Sequence, residues 1–183
     1  MTCIVAVKYK DQVYLGGDSL GSSGLDVMVR QDTKVFRKKD MMIGYTSSYR
    51  LGQLLRFKLE IPVHKSKISA YEYMCTDFID AVRKCLKDNG YTTISNNNEA
   101  IGEFIVVYKS HIFHIYDDLQ VGETRNDYDA CGCGEKYALG SCFAYIESNA
   151  ILTKKPKYIV LAALKAAQEH SGGVRKPFTI LHN

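Results

Sequence analysis

Two residues near the start of the chain have types suited to covalent chemistry. Thr2 follows Met1 and becomes the first residue if Met1 is removed. An N-terminal threonine carries a hydroxyl and a free amine on one residue, a nucleophile together with its own base. Asp18 closes the second of two short apolar runs in the opening segment MTCIVAVKYKDQVYLGGD. Both residues also have ordinary readings, Thr2 as the start of a β-strand and Asp18 as a turn cap, and the opening segment alone leaves both open.

Other reactive types in the sequence point elsewhere. Cys131-Gly132-Cys133 puts a single residue between its thiols, the wrong spacing for the usual zinc or redox pairs, and no second Cys/His pair completes a site. His111 and His114 are three apart in a strand-like run, so they face opposite sides of a sheet and do not share a metal. Most of the six cysteines (Cys3, Cys75, Cys85, Cys131, Cys133, Cys142) sit within apolar patterns, where a thiol behaves as a small hydrophobe. No cofactor or metal is expected.

The elements that must position Thr2 and Asp18 follow from the apolar periodicity. Thr2 to Tyr9 and Val13 to Gly17 read as a hairpin about the polar turn Lys10-Asp11-Gln12, and Ser19 to Asp26 reads as a Gly/Ser-rich loop. Lys34 to Phe36 and Met41 to Tyr45 read as two further strands. A helical stripe then runs from Tyr49 to Leu59 and is ended by Pro62. Ser69-Ala70-Tyr71-Glu72 has the spacing of a capping box, opening a helix whose Tyr71, Met74, Cys75, Phe78, Val82, Cys85 and Leu86 face the core and which Gly90 stops. Phe104 to Tyr108 and His111 to Tyr116 form a second hairpin, and Tyr128 to Gly132 one more strand. Glu135 to Ser148 is a helix with Ala138, Leu139, Cys142, Phe143 and Ile146 on one face. Another helix starts at Pro156, and Phe178 to Leu181 is the last strand. Strands, two helices, strands, two helices and a strand fit two sheets between two helical layers.

Composition limits the function classes. With 183 residues, 46% hydrophobic, residues 1–183 are expected to form one domain with a full core. The net charge is +4, the basic residues are scattered, and short groups such as Arg37-Lys38-Lys39 have no aromatic stacking platform among them, which argues against nucleic acid. No apolar stretch approaches a membrane span, and the N-terminus lacks the pattern of a signal peptide, so a cytoplasmic location away from membranes is expected.

The order TCIVAVKYKDQVYLGGDS, Lys34-Val35, Ile43-Gly44, ACGCGEKYALGS and HSGG before a strand resembles proteasome β-type subunits, most closely the short HslV-type peptidases. The similarity runs over nearly the whole chain. It implies the N-terminal-nucleophile hydrolase fold, an α+β sandwich of four layers, αββα, and the activity of a threonine endopeptidase. It also implies self-assembly into homo-oligomeric rings that confine the active sites, a peptide or unfolded polypeptide as substrate, and an ATP-driven unfoldase as partner. A non-proteolytic protein that keeps the sandwich and its assembly for a structural or binding role is the alternative.

Carried over by the resemblance, the nucleophile is Thr2, its acidic partner Asp18 and the catalytic lysine Lys34. An ammonium at Lys34 would stabilise the developing alkoxide and lower the basicity of the amine, and Asp18 would hold the lysine in place. Without the resemblance, Lys34 reads as a surface strand lysine. The oxyanion donor falls on the Gly44 amide, which otherwise reads as a glycine at a strand end. The family's supporting serine falls on Cys133, a departure, since a thiol is a weaker hydrogen-bond partner than a hydroxyl. Its later aspartate and serine fall on Gln168 and Ser171, of which only Ser171 matches. Phe36, beyond Lys34 on one strand, would line the pocket for the substrate side chain. Met1 must be removed for this chemistry, because a Thr2 nitrogen acylated by Met1 is an amide and no base.

Overall fold

The structure, a computed structural model, describes residues 1–24, 26–95, 98–148 and 155–183. Its strands in chain order are β1 (Ile4–Tyr9), β2 (Gln12–Gly17), β3 (Leu20–Ser23), β4 (Asp26–Val29), β5 (Val35–Lys38), β6 (Met41–Tyr45), β7 (Thr93–Ser95), β8 (Asn98–Ala100), β9 (Phe104–Tyr108), β10 (His111–Ile115), β11 (Val121–Glu123), β12 (Tyr128–Cys131) and β13 (Thr179–His182). The helices are α1 (Tyr49–Phe57), α2 (Ala70–Tyr73), α3 (Ile79–Asp88), α4 (Glu135–Glu147) and α5 (Pro156–His170). A π-helical turn, Met74–Phe78, joins α2 to α3.

One antiparallel sheet has the order β12-β1-β2-β13 and the other β11-β10-β9-β6-β5. The sequence of β1 explains why it lies at the centre. Val5 and Val7 point into a core shared with α4 and α5, while Ile4 and Ala6 point into the core between the sheets. Strand β9 repeats the arrangement, with Phe104 and Val106 toward α1 and α3 and Ile105 and Val107 toward the opposite sheet. A strand covered on both faces needs an unbroken apolar run, and each large side chain so buried contributes about 1.5–3 kcal/mol. Three apolar cores thus separate four layers, helices over sheet over sheet over helices, which is the αββα sandwich.

Several sequence expectations change at the periphery. Ser19 to Asp26, expected as a loop, falls largely in the β3–β4 hairpin, whose Val27, Met28 and Val29 are all more than half exposed. Helix α1 ends at Phe57, ahead of Pro62. Ser69 caps as expected, its hydroxyl accepting from the Glu72 amide at 3.0 Å. The helix that follows is not continuous, however. The π turn adds a residue to one turn and re-aims the face, so that Tyr73 is buried and Tyr71 is exposed. Phe143 also lies outside the core, on the outer face of α4. Among the described residues no helix is long and apolar enough to cross a membrane.

Candidate active site

Thr2 precedes β1, where the chain enters the sandwich, and is itself buried. Its carbonyl is fixed from the turn after β12, accepting from the Gly134 amide at 3.2 Å and the Cys133 thiol at 3.4 Å. This closeness depends on Gly132, which has φ +95° and whose Cβ, if it had one, would fall 2.5 Å from that carbonyl oxygen.

Asp18 and Lys34 come to Thr2 from the other side. Asp18 immediately follows β2, the neighbour of β1, and Lys34 immediately precedes β5 in the facing sheet. Their side chains form an ion pair at 2.9 Å, with the lysine side chain 2% exposed and the carboxylate fully buried. Nζ of Lys34 also donates to Thr2 Oγ1 at 2.9 Å and to the Met1 carbonyl at 3.3 Å. Thr2 Oγ1 in turn donates to the Met1 carbonyl. Burial pushes the Lys34 ammonium below its ordinary range, and the Asp18 charge and hydrogen bond oppose that shift. The carboxylate is held in four places: Oδ1 accepts from Lys34 and from the Cys3 amide at 3.1 Å, and Oδ2 from the amides of Leu20 at 2.9 Å and Arg175 at 3.3 Å. Such a group is a rigid anchor for the lysine.

Cys133, an exposed thiol, lies on the amine side of Thr2. The Thr2 N–H donates to its sulfur at 3.3 Å, and Ser171 Oγ donates to the same sulfur at 3.5 Å. The Gly173 amide donates to Ser171 Oγ at 3.3 Å, completing a relay from the α5 end to the Thr2 nitrogen. Ser171 therefore reaches Thr2 only through Cys133. Gln168 does not take part, since its Oε1 accepts from the Lys176 amide at 3.0 Å.

Two expected placements are corrected. Gly44 lies within β6, not beyond its end, paired with Val35 and Ile105, and a Cβ there would meet Ile4 at 2.6 Å in the core between the sheets. The residues that follow β6 and reach the cavity beside Thr2 are Thr46 and Ser47. Ser47 has φ +63°, and its amide donates to no described residue. The Thr46 amide and hydroxyl hold this turn by donating to the Glu103 carbonyl at 3.0 and 2.9 Å. Phe36 is packed in the core under α1, with the Arg56 guanidinium 4.5 Å from its ring centroid, and does not line that cavity. The sequence carried no local signal for Ser47, because a serine at positive φ looks like any loop serine. His111 and His114 diverge, to Glu123 at 2.5 Å and Asp129 at 3.2 Å.

No model of a known protein family matches the sequence, and no curated protein is detectably similar to it. Solved structures do match. BPH from Thiobacillus denitrificans, in complex with epoxomicin, superimposes with TM-score 0.78 at 17% identity over 99% of this chain and 97% of that one. The chain has the fold of the proteasome-type N-terminal-nucleophile hydrolases. HslV from Trypanosoma brucei shares this proteasome-type fold with it at TM-score 0.68 and 19% identity, over 98% of each chain. Anbu from Yersinia bercovieri does so at 0.65 and 16%, over 100% of this chain and 81% of that one.

Proposed function

We propose that the protein is a threonine-type endopeptidase subunit in which Thr2, freed of Met1, attacks peptide bonds. One observation carries the reading: buried Lys34 Nζ lies 2.9 Å from both Thr2 Oγ1 and Asp18 Oδ1. A lysine so placed has no structural need for the hydroxyl, since its charge is already matched by Asp18.

Release of Met1 turns the Thr2 nitrogen into an amine, which titrates near pH ~8 in a free chain. The amine takes the Oγ1 proton, directly or through a water, as Oγ1 adds to the substrate carbonyl carbon. The Lys34 ammonium stabilises the charge building on Oγ1, and the Ser47 amide is the donor available to the carbonyl oxygen as it becomes an oxyanion. One such donor is worth about 10²–10³ in rate. The protonated amine then delivers its proton to the departing nitrogen, leaving an ester on Thr2. Water, activated by the same amine, hydrolyses the ester and restores the hydroxyl. Cys133 and, through it, Ser171 orient the amine during both steps.

Assembly into rings and delivery of unfolded polypeptide by an ATP-driven unfoldase belong to this reading through the resemblance to HslV-type subunits. The decisive experiment compares Met-processed protein with its Thr2→Ala variant on short fluorogenic peptides. Cleavage lost on the order of 10⁴-fold in the variant supports Thr2 as nucleophile, and equal cleavage rejects it. Epoxomicin, bound by the Thiobacillus protein, is a second probe. It is expected to protect the processed protein against thermal unfolding and to leave Thr2→Ala unchanged.

A further inference from the structure

The cavity at Thr2 has a charge character that the triad does not require. It measures about 580 Å³, and its lining residues include Glu103 and Asp117 and no lysine or arginine. Neither carboxylate accepts a hydrogen bond or forms an ion pair with a described residue. A second depression of about 680 Å³ shares Ala100 and Asp117 with it, and Asp80, Glu99 and Asp118 are also among its lining residues. The cation there, Arg83, is committed to Glu99 by two bonds of 2.6 and 2.9 Å. A chain with net charge +4 thus carries an anionic trough that begins at its nucleophile. Among the described residues no group of three or more His, Cys, Asp or Glu side chains could hold a metal ion.

We infer that this trough selects polypeptide bearing lysine or arginine to one side of the bond that Thr2 cleaves. The inference rests on the peptidase reading for the chemistry at Thr2. The recognition is independent of that chemistry: unpaired carboxylates in a concave wall attract cations and repel acidic segments, and a low-dielectric cleft focuses that field. Glu103 is also linked to the catalytic loop, because its carbonyl holds Thr46, the residue before Ser47. A cation seated on the Glu103 side chain therefore lies beside the turn that would receive the oxyanion.

Binding and cleavage are measured separately. Processed protein carrying Thr2→Ala is titrated against three fluorescently labelled decapeptides, identical except for Lys, Gln or Glu at three successive positions, and anisotropy gives Kd. The Lys peptide is expected to bind about tenfold or more tightly than the Glu peptide in dilute buffer, with the gap closing at about 0.5 M salt as screening shortens the range of the field. Adding Glu103→Gln and Asp117→Asn together should erase most of the preference, and Asp117→Asn alone part of it. Equal binding of the three peptides, or a preference that survives the double substitution, overturns the inference. Failure of the peptidase reading looks different: the Thr2 protein then cleaves none of the three peptides, whatever their order of binding.

Discussion

Asp18 and Lys34 form a buried ion pair at 2.9 Å in which the carboxylate has a donor for every position it offers, three of them backbone amides. The pair ties the residue before β1, strand β3 and the Arg175 segment to the lysine that touches Thr2. Removing either partner leaves a desolvated charge, and removing Asp18 also leaves three amides without an acceptor. Asp18→Ala is expected to destabilise the fold by about 3–5 kcal/mol, read from urea denaturation. Lys34→Met should cost a similar amount, and the double variant less than the sum of the two, because neither charge then remains unpaired.

On the peptidase reading, the same pair should set the alkaline side of the activity profile. Burial lowers the Lys34 pKa from its ordinary 10.5, while Asp18 holds it up. If the charged lysine stabilises the alkoxide, kcat/KM must fall on the alkaline side at a pH below 10.5. Asp18→Asn removes the opposing charge, so the lysine loses its proton still earlier and the limb moves to lower pH. Profiles of processed wild-type and Asp18→Asn protein check this, and an unmoved limb contradicts the role given to Lys34.

Cys133 stands where a hydroxyl would be the stronger partner. Its sulfur accepts from the Thr2 nitrogen at 3.3 Å, and it is the exposed member of the cysteines. Cys133→Ser should keep or raise kcat, whereas Cys133→Ala, which breaks the relay from Ser171, should lower it about tenfold, the value of one hydrogen bond of ~1.4 kcal/mol. A maleimide reagent should inactivate the wild type and spare Cys133→Ser, since the other thiols are buried or half-buried. Steady-state kinetics with and without the reagent distinguish these outcomes.

Much of the sandwich was legible because its central strands are buried on both faces and so read as unbroken apolar runs. The β3–β4 hairpin was not, because its β4 residues Val27, Met28 and Val29 are exposed and obey no inside-outside alternation. The π turn at Met74–Phe78 was hidden for a related reason: Met74, Phe78, Val82 and Leu86 are all buried at four-residue steps, as in an ordinary helix, and only the exchange of Tyr71 for Tyr73 betrays the extra residue. At the site, the side chains of Thr2, Asp18 and Lys34 could be placed by resemblance. Their backbone partners could not: Arg175 donates an amide to Asp18 from 157 residues away, and no side-chain chemistry marks it. Gly44 was assigned by the same resemblance, yet in β6 its absent side chain makes room for Ile4 in the core between the sheets.

Gly132 offers a test of whether the turn after β12, and not the ion pair alone, sets the position of Thr2. At φ +95° any L-residue is strained, and a Cβ would press on the Thr2 carbonyl from 2.5 Å and on the Thr46 methyl from 3.1 Å. Neither neighbour is the free end of a long side chain, so β1 or the Thr46-Ser47 turn has to move. Gly132→Ala is therefore expected to cost about 1–3 kcal/mol of stability. It should also lower kcat by more than tenfold in protein that is still folded, because displacing a reacting group by about 1 Å can cost 10²-fold. Gly140→Ala is the matched control, since a Cβ there meets nothing within 4 Å and lies in helix α4. It should leave kcat unchanged and add slightly to stability, by about 0.5–1 kcal/mol. Equal kcat for the Gly132 and Gly140 variants at matched folded fraction would remove the turn from the description of the site.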